Sequence, residues 1–299
     1  MSYGLHLVIY LCIYGVVAIS LNIVSGYCGL LTMAHASYFA IGCYAYALAV
    51  TKLGLDFPSA ALLAMCVGAI MSLAISLPAW RFKGDSFILI SLAVQQMLFS
   101  LLQNWTSPGA EVGTWANLTN GTFGIANIPK PSVFGVQLTD ISSTALLAVT
   151  MLVTCITLSK VLLHSPWARL LQSMRDDELA ARGLGKNVRL AKVQAIAVSC
   201  GMAAFGGALY ASYVNYVDPA LASLDESMLV LCMVLVGGIG NFRGPLVGAV
   251  VLIAIPEILR FMAIPDVVAA NLRLLIYGLV LVLMMHFRPQ GLAGTYRME

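Results

Sequence analysis

Charge is what this 299-residue chain has least of. Only 10% of its residues are Asp, Glu, Lys or Arg, and none of these occurs before Lys52. A soluble domain carries about a quarter charged residues and about half apolar ones. Here 60% of residues are hydrophobic, which excludes an ordinary soluble domain and predicts an integral membrane protein. The net charge of +3 is small and the bases form no stripe, so nucleic acid is not an expected partner. The charge-free first fifty residues are too long for one span and long enough for two separated by a bend. A cleaved leader fits poorly, because neither a basic leading segment nor a short apolar core is visible.

Catalytic signatures are missing as well. The stretch nearest to a phosphate-binding loop, "AARGLGKN", has Ala180 in place of the first glycine and Asn187 in place of the hydroxyl residue. There is no H-E-x-x-H, no G-x-S-x-G and no carboxylate–histidine cluster. The seven cysteines fall almost wholly in apolar runs, without C-x-x-C pairs or zinc-like spacing to histidine. They read as small buried hydrophobes. The expectation is a non-enzyme that binds no metal and no cofactor of its own. Charge inside the predicted spans is sparse, Glu257 and Arg260 of "IPEILR" being the main exceptions. Their i, i+3 spacing beside Pro256 fits a gate or substrate contact, or an ion pair that fixes helix packing, the latter carrying more weight.

What remains is apolar sequence in lengths that suit a bilayer, where about 20 residues cross as a helix because backbone groups must bond internally. Spans are predicted near Leu5–Val24, Ala36–Val50, Ser59–Leu77, Ser86–Leu102, Ile141–Leu162, Val193–Val214, Ser227–Val236, Pro245–Ile264 and Leu272–Phe287. The fold class is therefore all-α and polytopic, with about eight to nine transmembrane helices in a single domain, 1–299. Ala36–Val50 and Ser227–Val236 are short and adjoin glycine-rich turns, as interrupted or re-entrant segments do in transporters. "GYCG" at 26–29 and "GGIG" at 237–240 hint at an internal repeat, although helix packing through glycine produces similar patterns.

Lys and Arg in short loops set orientation. Arg81, Lys83, the basic 164–192 segment and Arg288 go to the cytoplasmic side, and the polar 103–140 loop goes outside. Nine crossings then place the N-terminus outside and the C-terminus inside. Asn22, His35, Gln95 and Gln96 lie in or beside apolar runs. Interhelical hydrogen bonding is their default reading, and lining a polar translocation path is the alternative.

Seven charges crowd into "RDDELAARGLGKNVRL", 175–190. The segment reads as an amphipathic helix with Asp176, Asp177 and Glu178 in its first turn and Gly183 and Gly185 as stop signals. A juxtamembrane segment attracted to anionic lipid is the other reading the residues allow.

Five separated stretches, "LNIVSGYCGLLTMAHASYFAIGCYAYAL", "NLTNGTFGIANIP", "MRDDELAARGLGKNVRLAKVQAIAVSCGMAAFGGALYA", "VLVGGIGNFRGPLVGAVVL" and "LRLLIYGLVLVLMMHFRPQGL", carry a resemblance that covers nearly the whole chain. Through them it resembles the branched-chain amino acid ABC transporter permeases, of the LivM rather than the LivH type. It implies that the cytoplasmic segment couples to an ATPase through Glu178, Ala180, Ala181, Gly183 and Gly185. It also implies a multi-pass chain in a bacterial inner membrane, beside a homologous permease as heterodimer partner. Two ATP-binding subunits, which hydrolyse the ATP, and a periplasmic amino-acid-binding protein complete the expected assembly. Related permeases serve urea and short amides, which keeps that solute class open; an ion-coupled secondary transporter is the remaining alternative.

Overall fold

In the computed structural model the backbone is described for residues 2–79, 82, 84–133, 135–261, 266–288 and 290–293. Arg81, Lys83 and Ile264, and the side chain of Arg260, lie outside the described residues. The chain is helical throughout, with only four two-residue strands among the described residues. Helix α1 (Ser2–Asn22) passes into a π-turn, Ile23–Tyr27, and residues 28–34 are non-helical before α2 (His35–Leu53). The bend expected around Gly26 and Gly29 is thus present. The second helix is longer than the sequence suggested, because Thr51 and Lys52 continue it to a left-handed cap at Gly54. A basic residue in a last turn suits the helix dipole, so charge there does not mark the end.

Helices α3 (Phe57–Met71) and α4 (Leu73–Ala79) together fill the predicted third span, and α5 (Asp85–Asn104) the fourth. The 103–140 segment follows with strands β1 (Ile125–Ala126), β2 (Ser132–Val133) and β3 (Val136–Gln137). Helix α6 (Ile141–His164) leads to two short helices, α7 (Pro166–Asp176) and α8 (Glu178–Gly183), and then to α9 (Val188–Val214). Strand β4 (Tyr216–Val217) and a 3₁₀ turn precede α10 (Leu224–Gly237), α11 (Gly244–Phe261) and α12 (Asp266–Phe287).

Helices α1, α5, α6 and α9 are long and apolar enough to cross a membrane unaided. Two of them, α1 and α9, are mostly buried by protein, whereas α5 and α6 are mostly exposed along their apolar lengths. An exposed apolar helix is what a lipid-facing position requires. Helix α9 packs against α1, α2 and α3. Its crossing with α2 is backbone-close: a Cβ on Gly42 would run into the Ala204 backbone, and one on Gly207 into the Phe39 carbonyl. Without a hydrophobic drive between helices in lipid, such close approach is what holds them together.

The two ends of α9 orient the molecule. At its C-terminal end β4 pairs antiparallel with β1 of the 103–140 segment, Ile125 opposite Val217. At its N-terminal end lie α7 and α8. Twenty-seven residues of helix put these ends about 40 Å apart, so the polar 103–140 segment and the charged island lie at opposite ends of α9.

Candidate coupling face and helix breaks at membrane depth

The charged island folds differently from a single amphipathic helix. Asp176 ends α7, and Asp177 takes extended backbone angles (φ −152°, ψ 105°) and caps α8, accepting from the Leu179 N–H at 2.8 Å and the Ala180 N–H at 3.0 Å. Helix α7 begins at Ser165-Pro166, a turn residue followed by a proline whose missing N–H costs nothing at a helix start. The three acids therefore do not share one first turn. Aspartate competes well for exposed amides at a cap, and a break costs little where both halves can start afresh.

Within α8 the expected coupling residues divide between two faces. Glu178 points inward, where its carboxylate takes the Lys192 Nζ of α9 at 3.1 Å and an Arg182 nitrogen at 2.5 Å. Lys192 is 5% exposed, Glu178 11% and Arg182 42%. Ala181 is buried behind them. Ala180, Gly183 and Gly185 face outward with Leu179 and Leu184, the last two 72% and 79% exposed. Added Cβ atoms at Gly183 and Gly185 would meet nothing within 4 Å. The outward face is thus small-featured and apolar, with its charged support folded beneath it.

Helix α7 bears on the α1 bend. Arg175 donates to the Gly26 carbonyl at 2.8 Å, and Gly29, held at φ +74°, leaves room for the arginine stem: a Cβ there would sit 2.7 Å from Arg175 Cγ. From the same bend Asn22, buried, donates to the Asn241 carbonyl at 3.0 Å and accepts from the Gly240 N–H at 3.1 Å. Asn241 in turn donates to the Ala293 carbonyl, while the amides of Leu292 and Ala293 bond the Val236 and Gly237 carbonyls, each at 2.9 Å. The two glycine-rich stretches that look alike in sequence therefore meet in space. Together they form one polar seam running from α7 through the α1 bend to the α10–α11 turn and the segment after α12.

A second junction lies deeper. Gln95, halfway along α5 and buried, donates to the Ala222 and Ser223 carbonyls at 2.5 and 2.9 Å and accepts from the Ser37 hydroxyl at 2.7 Å. The Ala36 N–H reaches Ser227 Oγ at 3.4 Å. The first turns of α2 and α10 thus start together near the middle of α5. At 14 residues α10 is about 21 Å long, too short to cross a bilayer core alone. Its start at Leu224 corrects the predicted Ser227 and brings Glu226 into the first turn of the helix. His35, fully buried, lies with Nε2 2.8 Å from Ser20 Oγ. The Ser20 proton goes to the Val17 carbonyl at 2.6 Å, which makes the ring nitrogen the donor. Gln96, the next residue after Gln95, is exposed on the outer side of α5. Glu257 accepts from the Tyr3 hydroxyl.

Among the described residues no group of three or more His, Cys, Asp or Glu is arranged to hold a metal ion. The family model described as branched-chain amino acid transport system / permease component matches residues 4–285. The chain is 29% identical over 308 residues to the high-affinity branched-chain amino acid transport system permease protein LivM of Escherichia coli (strain K12), covering 95% of this chain and 68% of that protein. The LivM permease protein of Salmonella typhimurium (strain LT2) is 30% identical with the same coverage. A probable branched-chain amino acid transport permease protein LivM of Methanocaldococcus jannaschii is 25% identical over 145 residues, 44% of this chain and 40% of that one. No solved structure matches. With helices that suit a bilayer and a family match over nearly its whole length, the chain belongs to the permease components of branched-chain amino acid transport systems.

Proposed function

We propose that this permease passes branched-chain amino acids across the bacterial inner membrane as one half of a heterodimeric channel. Two partner subunits hydrolyse ATP and dock on α7 and α8, and an external binding protein delivers the solute. The relatives' names support the solute class. The observation that carries the coupling role is the divided α8: an apolar outward face of Leu179, Ala180, Gly183 and Leu184 over a buried Glu178–Lys192 pair. A docking partner gains from the first and pushes on the second. Movement of α7 then reaches the α1 bend through Arg175 and Gly26, and rigid-body movement of packed helices would switch access between the two sides. The absence of a phosphate-binding loop in the sequence fits energy that arrives by contact.

The test is reconstitution of the permease pair, ATPase subunits and binding protein in proteoliposomes, with uptake and ATP hydrolysis measured together. ATP-dependent uptake of leucine, isoleucine or valine, and none of lysine, is the expected result. Uptake that persists without ATP, or a permease that is active alone, would overturn the reading.

A further inference from the structure

We infer that the cavity between α1, α10, α11 and α12 is a solute-binding station whose Glu226 carboxylate receives the ammonium group of an apolar amino acid. This rests on the solute class proposed above and adds the residues that recognise it. The cavity measures about 270 Å³. Its walls are Tyr10 and Tyr14 of α1, Glu226 and Met233 of α10, Leu252 and Glu257 of α11, with further apolar side chains. It is open on one side and runs from Tyr14 towards the N-terminal end of α1. Helix α1 is among the helices buried by protein, and no residue of the exposed α5 or α6 lines the cavity.

Its chemistry is selective. Among the described residues no Lys, Arg or His lines it. Glu226 accepts from the Tyr14 hydroxyl at 3.2 Å, and Glu257 is engaged by Tyr3. A carboxylate has acceptor capacity for several donors, and one long bond from a tyrosine leaves most of Glu226 unfilled. A carboxylate at membrane depth without a cation is costly and marks a place where a cation visits. The surrounding leucine, isoleucine and methionine side chains suit an aliphatic side chain. A lone cation such as sodium would call for a shell of oxygen ligands; here two carboxylates, each bonded by a tyrosine, are set among aliphatic side chains, so an ammonium bearing an aliphatic chain fits better. Placement beside the start of α10 puts the station next to the helix break, where re-packing of one turn opens or closes it.

Two arms test this in the assembled complex. In the first, Glu226→Gln and Glu226→Asp are compared with wild type for uptake of leucine, isoleucine and valine. Loss of a charge-assisted hydrogen bond predicts a fall of about tenfold to a hundredfold in Glu226→Gln, with Glu226→Asp retaining more. In the second, Leu229→Cys places a thiol on the cavity wall, and its rate of modification by a small charged thiol reagent is measured against the wild-type background. Leucine and 3-methylbutylamine should slow the labelling, 4-methylpentanoate should not, and Glu226→Gln should abolish the protection. If the variants assemble and Glu226→Gln transports within twofold of wild type, or if the amine gives no protection, the inference is overturned. Should the wild-type complex import none of the three amino acids, the solute reading fails, while the labelling arm still decides whether the cavity takes an ammonium. Should Glu226→Gln fail to assemble, amine protection of Leu229→Cys in the otherwise unaltered chain decides alone.

Discussion

Replacing Glu178 by glutamine should release α8 from α9 without unfolding the embedded helices, and the structure sets the size of the effect. Two cations share this carboxylate. Arg182 is 42% exposed, and a pair so open to solvent contributes less than about 1 kcal/mol. Lys192 is only 5% exposed, so the substitution leaves an ammonium buried without its counter-charge. Breaking such a pair from one side costs about 3–5 kcal/mol. The lysine side chain is long enough to lift its head towards water if the short α8 moves aside, so the strain is relieved by undocking α8. A bias of about 3 kcal/mol shifts that local equilibrium by more than a hundredfold. The Ala181 and Leu184 amides, which bond the Asp177 and Ala180 carbonyls, report it directly by hydrogen exchange. In the reconstituted complex ATP hydrolysis should continue while uptake falls. The double variant Glu178→Gln with Lys192→Met removes both charges and should recover protection of those amides. Wild-type exchange rates in the single variant, or no recovery in the double, would refute the argument that the buried pair holds the coupling helix.

Leu184→Asp should leave thermal stability within about 0.5 kcal/mol of wild type, because the side chain is exposed and touches no core, yet reduce co-purification of the ATPase subunits in mild detergent. Gln95→Leu should lose about 2–3 kcal/mol of stability, read by thermal unfolding in detergent, since it leaves two carbonyls and the Ser37 hydroxyl without their partner; Gln96→Leu, on the exposed face one residue on, should be neutral. Gly207→Val should abolish accumulation of folded protein in the membrane, because its added atoms meet the Phe39 carbonyl across the α2–α9 crossing, whereas Gly278→Ala, with nothing within 4 Å, should be tolerated. Arg175→Ala should preserve assembly and slow uptake, as the Gly26 carbonyl loses its bond to α7.

The architecture was legible wherever a single physical constraint acts along the chain. Charge-free length announces the spans, the glycines at 26 and 29 announce the bend, and the short apolar run before 237 announces an interrupted helix. What sequence reading missed depends on contacts between distant segments. Gln95 and Gln96 are neighbours about 100° apart around an α5 that is apolar on most sides, and only the arrival of Ala222 and Ser223 tells one from the other. The break at Asp177 was hidden because an acidic run reads equally as one first turn or as a cap between two helices; Ser165-Pro166 carried the missing start signal. Glu226 escaped notice because the predicted span began one residue after it. Its position becomes apparent only when the 3₁₀ turn at Pro219–Ala222 is seen against the middle of α5.

The length of α9 gives the molecule leverage. The island is attached at one end through Glu178 and Lys192, the 103–140 segment is stitched to the other through β1 and β4, and the helix between is clamped along its sides by glycine contacts. Such a shaft pivots more readily than it bends. For a helix about 40 Å long, a tilt of about 5° about one end carries the other roughly 3.5 Å sideways, comparable with the helix shifts that separate two states of a packed interface. A small push at the island therefore becomes a displacement of the segment that carries β1 and β4.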